Sequence, residues 1–315
     1  MILEPTHWTL DPAKFRDPDR TADGSKRAEV TFDRLQTLWI NTGTLCNLTC
    51  RTCYIESSPT NDRLVYLTAA EVAEYLDEIQ QKTMSTEEIG FTGGEPFMNP
   101  EIIPMVEDAL SRRFRVIVLT NAMKPMQRLA VPLLDLKERY GAKLTLRVSI
   151  DHYSQALHET ERGKRSWTPA MAGLEWLSTH GFSLQVAGRS CWGESEESLR
   201  KGYAHLFAAH GISMDAEDHE ALVLFPEMDA TRDVPEITEA CWEKLGVLPS
   251  TIMCATSRMV IKRKGETRPK VVSCTLIPYD EAFELGHTLE EASGTVKLNH
   301  PHCARFCVLG GGSCR

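Results

Sequence analysis

Three cysteines stand within eight residues, Cys46-Asn-Leu-Thr-Cys50-Arg-Thr-Cys53. Thiolates so spaced can wrap one compact metal centre. If that centre is a four-iron cubane, three cysteines leave one iron without a protein ligand, much as a catalytic zinc keeps one open position. An open iron can take a substrate or a cofactor. Forty residues on, Gly93-Gly94-Glu95-Pro96 offers a stretch where backbone can come close to a ligand and then leave it along a stiffened path.

The other cysteines lie far downstream. Cys254, Cys274, Cys303, Cys307 and Cys314 form a second group, while Cys191 and Cys241 stand apart. Ten cysteines would suit a small disulfide-bonded secreted domain, but a 315-residue chain with its cysteines in two bunches reads better as a metal binder. The opening MILEPTHWTL has no basic segment followed by an apolar run, and no apolar stretch is long enough to span a bilayer, so a cytoplasmic location is expected. A formal charge of -9 disfavours general attraction to nucleic acid or anionic membrane, and 42% hydrophobic with 25% charged residues suits a packed globular fold.

What must position these residues is a run of alternating short β-branched and longer amphipathic segments, the pattern of βα units around a parallel sheet. Six strands are predicted at Thr37–Thr44, Glu88–Thr92, Arg115–Thr120, Lys143–Ile150, Ser183–Arg189 and Ala221–Phe225. Helices are predicted at Thr68–Lys82, Pro104–Arg112, Trp167–Thr179 and Glu194–Ala209. The fourth strand alternates Leu144, Leu146, Val148 and Ile150 with Thr145, Arg147, Ser149 and Asp151, and the fifth puts Gln185, Ala187, Arg189 and Cys191 on one face. With helices outside, those polar sets face a lumen that must hold something polar. The expected architecture is α/β, a partial (β/α)6 TIM-type barrel over 36–235, after an N-terminal extension, 1–35. A small cysteine-rich domain over 236–315 follows, built on a hairpin from Met259–Lys262 to Lys270–Val272. Its basic residues, Arg258, Lys262, Arg263, Lys264, Arg268 and Lys270, read as a solvated face, with docking of an acidic electron donor as the sharper alternative.

In its CxxxCxxC segment after the first strand and its GGEP segment after the second, the chain resembles the radical S-adenosylmethionine (SAM) superfamily. Where that family often has an aromatic residue before the third cysteine, this chain has Thr52, with Tyr54 just after. The resemblance implies a [4Fe-4S] cluster on Cys46, Cys50 and Cys53 with S-adenosylmethionine on its open iron. One-electron reduction then cleaves the cofactor to a 5′-deoxyadenosyl radical that abstracts hydrogen from a peptide or small metabolite. It also implies that Gly93, Gly94, Glu95 and Pro96 bind the methionine amino group. Thr120 and Asn121 end the third strand near the same cofactor, Ser149 and Asp151 belong to the ribose region, and Arg189 pairs with the methionine carboxylate. Plainer roles are a helix cap for Asp151 and a lumen salt bridge for Arg189.

The C-terminal cysteines resemble a twitch or SPASM-type extension. Five suggest one auxiliary [4Fe-4S] cluster with a ligand to spare, on Cys254, Cys274, Cys303 and Cys307, with Cys314 as the alternative ligand. Structural zinc, helped by His300 and His302, is the rival. Cys191 could donate a hydrogen or relay a radical, and Asp151-His152-Tyr153 could supply a proton acceptor, although core packing and loop polarity are the simpler accounts. A reductase or flavodoxin-type electron donor is the expected partner. The second class of function is a non-catalytic iron-sulfur or zinc-binding carrier or redox sensor. The short segment before the first strand leans toward a small molecule, or a peptide recruited by a separate protein.

Overall fold

The computed structural model describes residues 9–312. Along the chain come β1 (Glu29–Val30), β2 (Thr37–Asn41), α1 (Ala69–Gln81), β3 (Glu88–Thr92), α2 (Ile102–Ser111) and β4 (Arg115–Thr120). Then follow α3 (Lys124–Gln127), α4 (Ala130–Tyr140), β5 (Leu144–Ser149), α5 (Gln155–Arg162), α6 (Trp167–Thr179), β6 (Ser183–Arg189) and α7 (Glu196–Ala209). The last elements are β7 (Leu222–Phe225), α8 (Ala240–Leu245), β8 (Ser257–Ile261), β9 (Lys270–Val272) and β10 (Val296–Lys297).

Eight strands form one sheet in the order β7-β6-β5-β4-β3-β2-β8-β9, parallel except for β9. This is the α/β partial barrel that the strand pattern predicts, with one difference. The hairpin expected to found a separate domain instead places β8 in parallel pairing with β2, Thr37 opposite Ser257, so the sheet runs across the boundary drawn between 235 and 236. The N-terminal segment is also built in. Its β1 pairs antiparallel with β10, and Arg27, with a fully buried side chain, meets Glu236 at 2.6 Å.

Local chemistry accounts for the helix ends. Thr68 caps α1 and exchanges bonds with Glu71, a reciprocal pair that satisfies two otherwise orphaned donors. Pro104 falls in the first turn of α2, where a missing N–H costs nothing, so that helix starts two residues before it.

The strands alternate between two apolar cores. Leu38, Ile40, Val116, Val118, Leu146, Val148 and Val260 face the outer helices. Trp39, Ile117 and Met259 turn the other way and join the C-terminal segment. A Cβ on Gly90 would come within 2.4 Å of the Trp39 ring, so only glycine leaves space for it there. The lumen therefore has an apolar floor as well as the polar wall predicted on β5 and β6.

Candidate functional site

The loop after β2 carries the first three cysteines to one wall of a cavity at the C-terminal ends of the strands. Cys46 is buried and its thiol is pushed up to about 12 by burial; burial raises Cys50 as well. Buried thiolates need compensation, which a metal centre supplies. Backbone donors already aim at the sulfurs: Leu48 N at Cys46 Sγ, 3.4 Å, and Ser57 N at Cys53 Sγ, 3.3 Å. Hydrogen bonds of this kind help set a cluster's potential. The donor set and its surroundings fit a cluster held by three thiolates.

Gly93 and Gly94 line the same cavity, and the reason for glycine is visible. Gly93 adopts φ +138°, and a Cβ on Gly94 would come within 2.2 Å of the Leu45 carbonyl oxygen. The pair thus lies against the loop that holds Cys46. Glu95 and Pro96 do not line the cavity. The Glu95 carboxylate, pushed up to about 7 chiefly by burial, accepts bonds from Asn121 N and Thr120 Oγ1, each at 2.9 Å, and so fixes the end of β4. Asn121 does line the cavity. Its Nδ2 donates to Asn47 Oδ1 at 2.9 Å and stands 4.0 Å from Cys46 Sγ.

Ser149, Asp151 and Arg189 complete the polar wall. Asp151 does not cap α5, whose N-cap is Ser154; it forms an ion pair with Arg162, with Nη2 at 3.0 Å from Oδ1 and Nε at 2.9 Å from Oδ2. Arg189 meets Thr52 Oγ1 and lies 3.4 Å from Glu161 Oε2, while its buried Nε has no hydrogen-bond partner. Glu161 also accepts from Thr52 Oγ1 at 2.6 Å and Arg51 Nη2 at 2.7 Å. The end of α5 is thereby stapled to the cysteine loop.

Cys191 is half-buried and does not line the cavity. His152 and Tyr153 also stay out of it, each bonded to Glu194 at 2.8 Å.

Cys254, Cys274, Cys303 and Cys307 surround a second, small and mainly apolar pocket with Leu276, Phe283 and Leu298. Burial pushes Cys254 up to about 11 and Cys303 up to about 12, and Leu276 N points at Cys274 Sγ, 3.3 Å away. His302 shares this pocket, His300 does not, and Cys314 lies outside the described residues. The basic hairpin is largely neutralised: Lys262 pairs with Glu71, Arg263 and Lys270 with Glu284, and Lys264 with Asp62.

Residues 40–189 match the Radical SAM superfamily. That match covers 150 of the chain's 315 residues, so a radical SAM domain spans the strands that line the cavity. It is 29% identical over 277 residues to the Bacillus subtilis antilisterial bacteriocin subtilosin biosynthesis protein AlbA, covering 81% of this chain and 58% of AlbA. Mycofactocin maturase MftC of Mycolicibacterium smegmatis is 26% identical over 138 residues, 44% of this chain and 33% of its own. Among solved structures, Streptococcus suis SuiB bound to S-adenosylmethionine superposes with a TM-score of 0.56 at 10% identity, over 80% of this chain and 63% of SuiB. Histidine-tagged anSMEcpe with bound AdoMet gives 0.58 at 13% identity, over 84% and 83%. These likenesses show a shared fold. The chain spans 58% of AlbA and 63% of SuiB, less than two thirds of either.

Within the radical SAM fold, the residues that sequence reasoning missed are Thr52, Asn47, Glu161 and Arg162. The last two sit on α5, whose buried positions are His158 and Glu161, so no apolar periodicity marks that helix. The available signal was the charged run Glu159-Thr160-Glu161-Arg162 stopped by Gly163, whose φ is +95°. No helix among the described residues is long and apolar enough to cross a membrane.

Proposed function

We propose that this protein is a radical SAM enzyme acting on a peptide. In this reading Cys46, Cys50 and Cys53 hold a [4Fe-4S] cluster, and Gly93, Gly94, Asn121, Ser149 and Asp151 hold S-adenosylmethionine beside it. The observation that carries the reading is the meeting of all these residues in one cavity. When bound, cluster and cofactor supply reductive carbon–sulfur cleavage and hydrogen abstraction from the substrate. The chain's own contribution is orientation and exclusion of water. Arg189 retains an unpartnered buried Nε–H, a donor suited to the cofactor's carboxylate. Glu95 and Pro96 act behind the wall, keeping Asn121 and the two glycines in place.

The second pocket fits an auxiliary [4Fe-4S] cluster on Cys254, Cys274, Cys303 and Cys307, because four cysteines face one small, mainly apolar space. A peptide is favoured as substrate by two comparisons: AlbA is named for bacteriocin biosynthesis, and SuiB has been solved bound to its precursor peptide SuiA. The working location we assign is the cytoplasm, where thiols stay reduced and an external reductase or flavodoxin-type donor is at hand.

The test is anaerobic reconstitution with counting of iron, sulfide and zinc, followed by reduction in the presence of S-adenosylmethionine. The expected product is 5′-deoxyadenosine. A fully clustered sample that makes none would sink the enzymatic reading, and zinc without iron or sulfide would favour a non-catalytic metal protein.

A further inference from the structure

Arg258, at the start of β8, is only 1% exposed. Among the described residues its guanidinium meets no carboxylate. Nη1 donates to the Cys254 carbonyl at 2.6 Å and the Ser257 carbonyl at 2.8 Å, Nε to Ala292 O at 2.7 Å, and Nη2 to Gly294 O at 3.0 Å. The Phe32 ring lies 4.1 Å from its guanidinium carbon. A guanidinium stays a cation at neutral pH, and the bond to the Cys254 carbonyl holds this one beside the second cysteine group. Carbonyl dipoles and an aromatic face solvate a cation but do not neutralise it, and an unpaired buried charge is costly. The anion that would balance Arg258 therefore belongs on the cysteines.

We propose that Arg258 is the built-in counter-charge of the metal group on Cys254, Cys274, Cys303 and Cys307, anchoring Cys254 through its carbonyl and raising that group's reduction potential. The proposal rests on the reading that these cysteines hold an iron-sulfur cluster. A four-thiolate cluster is anionic, and one-electron reduction adds one more negative charge. A fixed cation stabilises the reduced form more than the oxidised one, so the potential rises. Arg258 acts through Cys254 and through its field, as a positioning residue.

The experiment uses the full chain with Cys46, Cys50 and Cys53 replaced by alanine, so that one cluster remains, reconstituted anaerobically and followed by EPR-monitored redox titration. Arg258→Met should shift the midpoint potential to more negative values at unchanged iron and sulfide, and Arg258→Lys, which keeps the charge, should restore most of the shift. Unchanged potential in a fully clustered Arg258→Met protein overturns the proposal. If that variant does not fold, Ser293→Asp decides. Ser293 is exposed and borders the same depression as Arg258, so the added carboxylate offsets the charge while every Arg258 bond stays in place. A smaller negative shift is expected, and no shift overturns the proposal. Zinc, or no iron, in the chain with native Arg258 overturns the cluster reading instead, a result that the metal count separates from a null in potential.

Discussion

Cys46, Cys50 and Cys53 share their cavity with Asp151, Arg162 and Arg189, whereas Cys254, Cys274, Cys303 and Cys307 face Leu276, Phe283 and Leu298. The side chain is the same and the surroundings are opposite. Charged groups around the first site are mutually paired, through Arg162 to Asp151 and Arg189 to Glu161. At the second site Arg258 bonds the Cys254 carbonyl, and it has carbonyls for partners and no carboxylate among the described residues. A polar wall suits a site that admits a polar cofactor, while an apolar wall suits one that encloses its occupant. The backbone differs accordingly: the first three cysteines sit on one continuous loop, and the other four come from segments as far apart as Cys254 and Cys307.

The largest contrast should come from removing ligands. Cys50→Ala is expected to bring 5′-deoxyadenosine formation to background, whereas Cys254→Ala should cost about half of the iron and leave cofactor cleavage measurable in the same assay. Equal loss in both variants would erase the distinction between the sites. Chelation of the metal should also loosen the segment around Cys254–Val308 more than β3 to β6, seen as faster amide exchange, because that segment's order depends on its ligands coming together.

Next in size is the buried staple of α5. Arg189 and Glu161 have side chains 6% and 1% exposed, and Glu161→Ala leaves a buried guanidinium without its anion. We expect a loss of about 3 kcal/mol or more, read by denaturant unfolding, with iron released first from the Cys46–Cys53 site. Glu161→Gln, which keeps acceptor and shape, should cost less.

A smaller effect tests Glu95. Its carboxyl is raised from 4.5 to about 7, mainly by burial, so the folded protein binds that proton more tightly than the unfolded chain. The associated stability is fully present below pH 4.5 and is lost as pH rises toward 7. Thermal melts of wild type and Glu95→Gln across that window should diverge with this sign. The smallest expected effect is Lys264→Ala: its partner Asp62 is 47% exposed and Lys264 itself 65%, so neither the thermal midpoint nor cluster content should change measurably.

Much of the barrel was legible because its strands are β-branched runs with helical stretches between them. Glu88–Thr92, Arg115–Thr120, Ser183–Arg189 and Trp167–Thr179 have the bounds predicted for them. Helix α5 was not legible, since it buries a histidine and a carboxylate where an amphipathic helix would bury leucine. The hairpin was recognised as β8 and β9, but its pairing with β2 was not, because a turn is local and that pairing spans more than two hundred residues. The basic charges of the hairpin looked solvated for the same reason: Glu71, Asp62 and Glu284 are distant in the chain.

By itself the sequence determined the spacing of the cysteines, the open fourth position that three of them would leave on a cubane, and the alternation that puts Arg147, Ser149 and Asp151 on one side of a strand. These are consequences of spacing and of a two-residue period, which need no knowledge of the partner strand. Only the tertiary structure decided that Glu161 and Arg162 guard the first cysteines, that Glu95 stands behind the wall instead of in it, and that Arg258 lies beneath the second group. A charge acts through space, and at each of these places the group it acts on is brought near by folding, many residues away along the chain.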